Sequence, residues 1–297
     1  MRDWSKVTSR DYLVSARSAE LLALLGDLHA TPRYSEVEET LPIRSLLQFW
    51  KMESVLDDVE HQRQADTLRP EYPRGVPSKF GVDGKVQHFP GNTIISHLSP
   101  SSGLYASMLV LHEKLLQSNL SSVITLLPPS SWHMTVFEGV CDEVRKPGFW
   151  SSDLAIDAPL EDCDALFAEK LSLFDLKCNP PYQMSITGFD PPGIVIRVHL
   201  EPSTTAEAAR LRDLRDRLAD LLQIRHPGHD SYGLHLSVAY LLRYLTEEQK
   251  SELLALLMDH LQEMPVEFEL GAPEFCKFEN MFVFNRQFYL KNQGIDA

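Results

Sequence analysis

Ser131-Trp132-His133-Met134-Thr135-Val136-Phe137 and, further along, Gly233-Leu234-His235-Leu236-Ser237-Val238-Ala239 are the two stretches on which the reading of this chain turns. Side chains of an extended strand alternate between its two faces. His133 and Thr135 therefore share one face, opposite Trp132, Met134 and Val136. His235 and Ser237 share one face, opposite Leu234, Leu236 and Val238. Each stretch reads as a β-strand with an apolar back and a front carrying one imidazole and one hydroxyl.

Working outward, strands and helices alternate around both stretches. Before the first lie a strand over Asn92–Leu98, a helix over Leu104–Gln117 with Ser101 or Ser102 as N-cap, and a strand over Val123–Leu127. After it come a helix over Asp162–Phe174 and strands Gln183–Thr187 and Ile194–Leu200, joined by the turn Asp190-Pro191-Pro192-Gly193. A helix over Thr204–Leu222 follows. It opens on a Thr204/Glu207 capping box and buries Leu211, Leu214, Leu218 and Leu221. Beyond the second stretch, Thr246 and Gln249 cap a helix to about Gln262. Val266–Leu270 and a hairpin of Met281–Phe284 with Gln287–Leu290, turning at Asn285-Arg286, close the chain.

This order predicts an α+β fold of two pseudo-symmetric halves, roughly 88–180 and 181–290. Two antiparallel or mixed sheets would line a central groove, with helices outside. Residues 1–75 read differently, as a helical N-terminal extension with helices over Asp11–Asp27 and Leu41–Gln64. It ends in the breaker-rich Arg69–Pro77, which leads into a domain over 76–297.

With 28 Lys+Arg against 42 Asp+Glu the chain carries a formal charge of −14, which disfavours a protein that neutralises long stretches of nucleic-acid backbone. No window has the roughly 18 uncharged apolar residues of a membrane span, and the charged N-terminus lacks the apolar core of a secretory signal. Four scattered cysteines form neither a zinc ribbon nor a disulfide scaffold. They read as buried or idle thiols in a reducing compartment, with the cytosol as the expected location.

Two imidazoles and two hydroxyls around one groove suit in-line displacement at a phosphodiester. One histidine takes a proton from the attacking oxygen and the other supplies one to the leaving oxygen, while the hydroxyls donate to the non-bridging oxygens. Such chemistry needs no metal or cofactor. The triplet H-x-[ST] alone is weak: 11 histidines among 37 serines and threonines give roughly one by chance. His29-Ala30-Thr31 sits before a proline in a polar linker, and Pro100 ends the alternation after His97-Leu98-Ser99. It is the matched apolar backs and matched places in the element order that single out His133, Thr135, His235 and Ser237.

Further candidates surround them. Arg225–Tyr232 reads as a loop over the groove, with His229 or Tyr232 touching phosphate or base. A metal set of His226, His229, His235 and Asp230 is the weaker reading of the same loop. Arg197 could fork onto a phosphate or pair with a carboxylate. Phe137 could stack on a base or fill the core. Arg210, Arg212, Arg215 and Arg217, interleaved with Asp213, Asp216 and Asp220, read as a solvated face of ion pairs.

On the residues His133-Met134-Thr135 and His235-Leu236-Ser237 the chain resembles the 2H phosphoesterases, named for two H-x-[ST] strand motifs. Lys79-Phe80, Asp83-Gly84, Phe89–Thr93, Leu127–Ser131 and Val136–Val140 resemble a branch of that superfamily catalogued as a domain of unknown function. The resemblance covers about Lys79–Leu290. It implies a duplicated bilobal fold and metal-independent chemistry at 2′-linked or 2′,3′-cyclic phosphates. The expected ligand is a nucleotide or short oligonucleotide. The expected activity is a cyclic phosphodiesterase; the alternatives are 2′-5′ RNA ligation or 2′-5′ oligonucleotide cleavage, or a non-catalytic cyclic-phosphate-binding or interaction protein. Ser237 stands where threonine is commoner, which keeps the hydroxyl donor and loses only side-chain stiffness.

Overall fold

The computed structural model describes residues 70–293, so both helices expected before Gln64 lie outside the described residues. The elements that follow are β1 (Gly91–His97), α1 (Gly103–Gln117), β2 (Ile124–Leu126), β3 (His133–Cys141), α2 (Leu160–Ser172), β4 (Tyr182–Phe189), β5 (Val195–Pro202), α3 (Thr205–Leu222), β6 (Leu234–Leu241), α4 (Glu247–Leu261), β7 (Glu267–Leu270), β8 (Glu274–Asn280) and β9 (Val283–Tyr289). The fold is α+β, as expected.

Where two sheets were expected, these strands form one curled antiparallel sheet in the order β7-β4-β5-β6-β3-β1-β8-β9, with β2 beside the far end of β6. The cause sits at the centre. β3 and β6 join through a single backbone pair, Met134 with Leu236, and part on either side of it. On each side of that join the chain runs from a strand through a helix to the motif strand, β1-α1-β2-β3 on one side, with the short β2 inserted, and β5-α3-β6 on the other. β8 and β9, from the end of the chain, complete the β3 side by pairing onto β1.

Local chemistry sets the element ends. Ser102 caps α1 by accepting from the Leu104 amide, and α1 buries Leu104, Met108, Leu111 and Leu115 as one stripe. Thr246 and Gln249 form the reciprocal capping box of α4. Thr204 caps α3 through the Glu207 amide, but the Glu207 carboxylate turns to Arg210 instead of closing the box. Leu222, not Leu221, completes the buried stripe of α3.

The final hairpin turns at 280–283 rather than at Asn285-Arg286. Asn280 Oδ1 accepts the Phe282 amide at 2.8 Å, a local turn that only a short polar side chain makes. Asn285 and Arg286 therefore stay in β9, and Arg286 reaches across to Glu274 at 3.2 Å. The core lies between the apolar backs of the strands and the helices. Trp132, Met134, Val136, Leu236 and Val238 are all buried there.

Candidate active site

The two motif strands repeat one another more closely than their sequences suggest. From the histidine onward, the burial of β3 runs half-buried, buried, half-buried, buried, buried, half-buried, and β6 runs the same. The doubled buried position comes from a β-bulge in each strand. Opposite consecutive residues Ile94 and Ile95 of β1, β3 places Phe137 and Thr135, so Val136 is the extra residue. Opposite Ile196 and Arg197 of β5, β6 places Ala239 and Ser237, so Val238 is the extra residue. An inserted residue reverses the alternation beyond it. Phe137 and Ala239 consequently face the core, while Glu138 and Tyr240 turn to the front.

His133, Thr135, Glu138, Arg197, His199, Tyr232, His235, Ser237 and Tyr240 line one groove of about 940 Å³. Each motif histidine is fixed in the same way. His133 Nδ1 lies 2.7 Å from the Ser131 carbonyl, and His235 Nδ1 lies 2.9 Å from the Gly233 carbonyl. A carbonyl only accepts, so Nδ1 carries the proton in both rings and Nε2 is left as the group that can take or give one. Burial pushes the His133 imidazole down to about 4, against the raising effect of the Ser131 carbonyl. The Phe284 ring packs edge-on against His133 with centroids 4.3 Å apart. Burial also lowers His235, and the Arg197 guanidinium lowers it further.

The neighbouring strands hold a second pair of histidines. His97 lies directly across from His133, and His199 from His235. Each is backed by a carboxylate: His97 Nδ1 stands 2.6 Å from Glu274, and His199 Nδ1 stands 3.5 Å from Asp190. Symmetry fails one step along. Opposite Thr135 stands Ile95, fully buried, whereas opposite Ser237 stands Arg197, which lines the groove. The Arg197 Nε is buried without a partner. Asp190, delivered by the β4–β5 turn, lies 3.7 Å from Arg197 Nη1. Burial opposes ionisation of Asp190, but His199 and Arg197 outweigh it and hold the carboxyl below its ordinary range.

Of the other residues expected at the site, Tyr232 and Arg197 line the groove and two do not. Phe137 is 1% exposed in the core, turned there by the Val136 bulge. His229 is 2% exposed, and its Nε2 bonds Asp216 at 2.8 Å on α3, away from the groove. The metal set named from sequence is not brought together, since His226 turns its Nε2 to the Gly139 carbonyl at 3.2 Å. Two other groupings of possible ligand atoms occur among the described residues, His97–Glu274–Cys276 and Asp216–His229–Asp230. Guanidiniums already occupy both: Arg286 at Glu274, and Arg225 at Asp216 and Asp230. Burial pushes the Cys276 and Cys163 thiols up to about 12 and Cys141 up to about 11, so these remain protonated.

The arginines of α3 form the expected face of ion pairs only in part: Arg217 pairs with Asp213 and Arg210 with Glu207, and Arg212 is exposed, but the face also braces the loops around it. Arg212 donates to the carbonyls of His229 and Asp230, and Arg217 to those of Asp175 and Leu176. Arg215 is buried, at 4% exposure. The reason was present in the sequence, because Leu211, Arg215, Leu218 and Leu222 share one helical stripe. Sequence reasoning also missed Lys79 and Arg74, which line the groove from the segment before β1. The Lys79 ammonium lies 5.0 Å from the Phe89 ring and 5.5 Å from the Tyr240 ring.

Residues 79–195 match the family model described as "2H-phosphodiest: Domain of unknown function (DUF1868)". The match contains the first motif and ends before the second. A crystal structure of a conserved protein of unknown function from Agrobacterium tumefaciens is similar to this chain. It has 27% sequence identity and a TM-score of 0.70, covering 76% of this chain and 96% of that one. A protein from Thermus thermophilus matches at 14% identity and a TM-score of 0.41, covering 68% of this chain and 98% of that one. No curated protein matches.

Proposed function

We propose, from the 2H-phosphodiesterase-type domain that residues 79–195 carry, that the protein hydrolyses a 2′,3′-cyclic phosphate or 2′-linked phosphodiester of a nucleotide or short RNA by metal-independent acid–base catalysis. One observation carries the reading: two imidazoles open into one groove, each with Nδ1 tied to the carbonyl two residues before it and Nε2 left for chemistry. Water attacks phosphorus and gives its proton to the Nε2 of the neutral imidazole. The bond to the leaving ribose oxygen breaks as the other imidazolium protonates that oxygen, and a phosphomonoester is left. Thr135 and Ser237 donate to the non-bridging oxygens, and the Arg197 fork holds the phosphate beside Ser237. Tyr232 completes the phosphate side of the groove. The acidic chain favours small ligands over long RNA.

Incubating the purified protein with 2′,3′-cyclic nucleotides and with 2′-5′ linked dinucleotides tests the reading. Turnover of the first class is expected, and no turnover of either class overturns it. Activity is expected to survive EDTA unchanged; loss restored by a divalent cation would overturn the two-histidine mechanism. Arg197→Ala is expected to weaken substrate binding by roughly 10–100-fold, the worth of a hydrogen bond to a charged group, read as a rise in KM larger than any fall in kcat.

The pH profile carries a sign. Both imidazoles are depressed, so the neutral form of the base persists below the usual histidine range and the protonated form of the acid is lost earlier. A bell-shaped kcat/KM is expected, displaced to the acid side of ~6.5 with its lower flank near 4. A flat profile, or a bell centred above 7, would count against the pair.

A further inference from the structure

Beneath the groove stands a cation that this chemistry has not used. Arg215 of α3 is 4% exposed, its guanidinium stacked 4.1 Å from the centre of the Tyr232 ring, and Tyr232 in turn faces the groove. Its Nη1 donates to the Val136 carbonyl at 2.6 Å, on the extra residue of the β3 bulge, and its Nε is buried without a partner. Among the described residues no carboxylate lies within 4 Å of it. Its charged and titratable surroundings are Tyr232, Glu138 of β3, and Arg212 and Asp216 of its own helix. A guanidinium taken out of water without an ion-pair partner is a cost to the fold, and an apolar side chain of similar length would commonly serve stability as well or better. The geometry supplies a reason for keeping it. An anion seated between His133 and His235 would find this charge through Tyr232, across packed side chains that exclude both water and screening ions.

We infer that Arg215 is a positioning residue of the groove, a buried counter-charge for a bound phosphate that also pins the bulge turning Glu138 to the front. The inference rests on the groove being a phosphate site and extends it to a residue that never touches the ligand. Tyr232, whose hydroxyl interacts with the Thr135 side chain, links the two.

Inorganic phosphate binding by calorimetry tests it on the full chain with Arg215→Met and Arg215→Lys. Arg215→Met is expected to bind phosphate roughly ten-fold more weakly than wild type, and Arg215→Lys to recover most of that loss. The Arg215 Nε–H resonance of the wild-type protein is expected to shift as phosphate is added, a readout that depends on no variant folding. A folded Arg215→Met with wild-type phosphate affinity, or a wild-type Nε–H resonance that phosphate leaves in place, would overturn the inference. Wild-type protein that binds phosphate yet turns over no cyclic nucleotide would defeat the phosphodiesterase reading and leave the binding result for Arg215 standing.

Discussion

His133→Ala and His235→Ala are each expected to lower kcat/KM for a 2′,3′-cyclic nucleotide by about 10²–10⁴-fold, the usual worth of one placed proton transfer. Neither change is expected to unfold the protein. Both rings sit half-buried on the open side of the sheet, and the strands' apolar backs, Met134, Val136, Leu236 and Val238, are untouched. The double variant is expected to be much less damaged than the product of the single losses, since half of an acid–base pair does little alone. Circular dichroism and a thermal melt establish that the variants fold, and single-turnover kinetics reads the loss. Retention of wild-type turnover by either folded variant would defeat the mechanism.

The second large effect is on stability. Trp132→Ala is expected to cost about 3–5 kcal/mol, the range for deleting a fully buried large aromatic. At ~2–4 °C per kcal/mol for a domain of this size, the melting temperature drops by roughly 6–20 °C. Trp132 is 1% exposed, packed edge-on against Tyr105 at 5.3 Å and His112 at 6.0 Å, and its carbonyl accepts the Leu98 amide at 2.9 Å. It immediately precedes His133, so the cavity opens directly behind the ring proposed to move a proton. Activity per folded molecule is therefore expected to fall along with stability, and Trp132→Phe is expected to keep most of both. A melt within about 2 °C of wild type for Trp132→Ala would show that helix α1 collapses into the space unaided.

Most of the fold was legible because its signals are local. Strand alternation marked His133, Thr135, His235 and Ser237 for the front and their neighbours for the back, and side-chain caps marked the starts of α1, α3 and α4. What was not legible depends on pairing between distant segments. Phe137 reads as a groove residue only if alternation continues past Val136, and the bulge that stops it is a property of the register with β1. The single Met134–Leu236 pair that fuses two expected sheets into one leaves no mark on either strand's own pattern. β8 was missed because Glu274–Asn280 alternates poorly, its buried Glu274 being held by His97 and Arg286 from other strands. Arg215 was readable from helical spacing alone, since it shares a stripe with Leu211 and Leu218, but a charged side chain at a stripe position carries the composition of an exposed face.

The twin bulges leave the protein with a division of labour that simple alternation would forbid. On the proposed mechanism, chemistry sits at the histidine and two places after it, and the next side chain to line the groove comes three places further on, Glu138 in one strand and Tyr240 in the other. Those two places differ completely in charge and shape while the reactive pairs stay nearly alike. Selectivity can therefore drift at the fifth residue past each imidazole without disturbing the proton traffic, and relatives with unlike residues there should be sorted by ligand rather than by reaction.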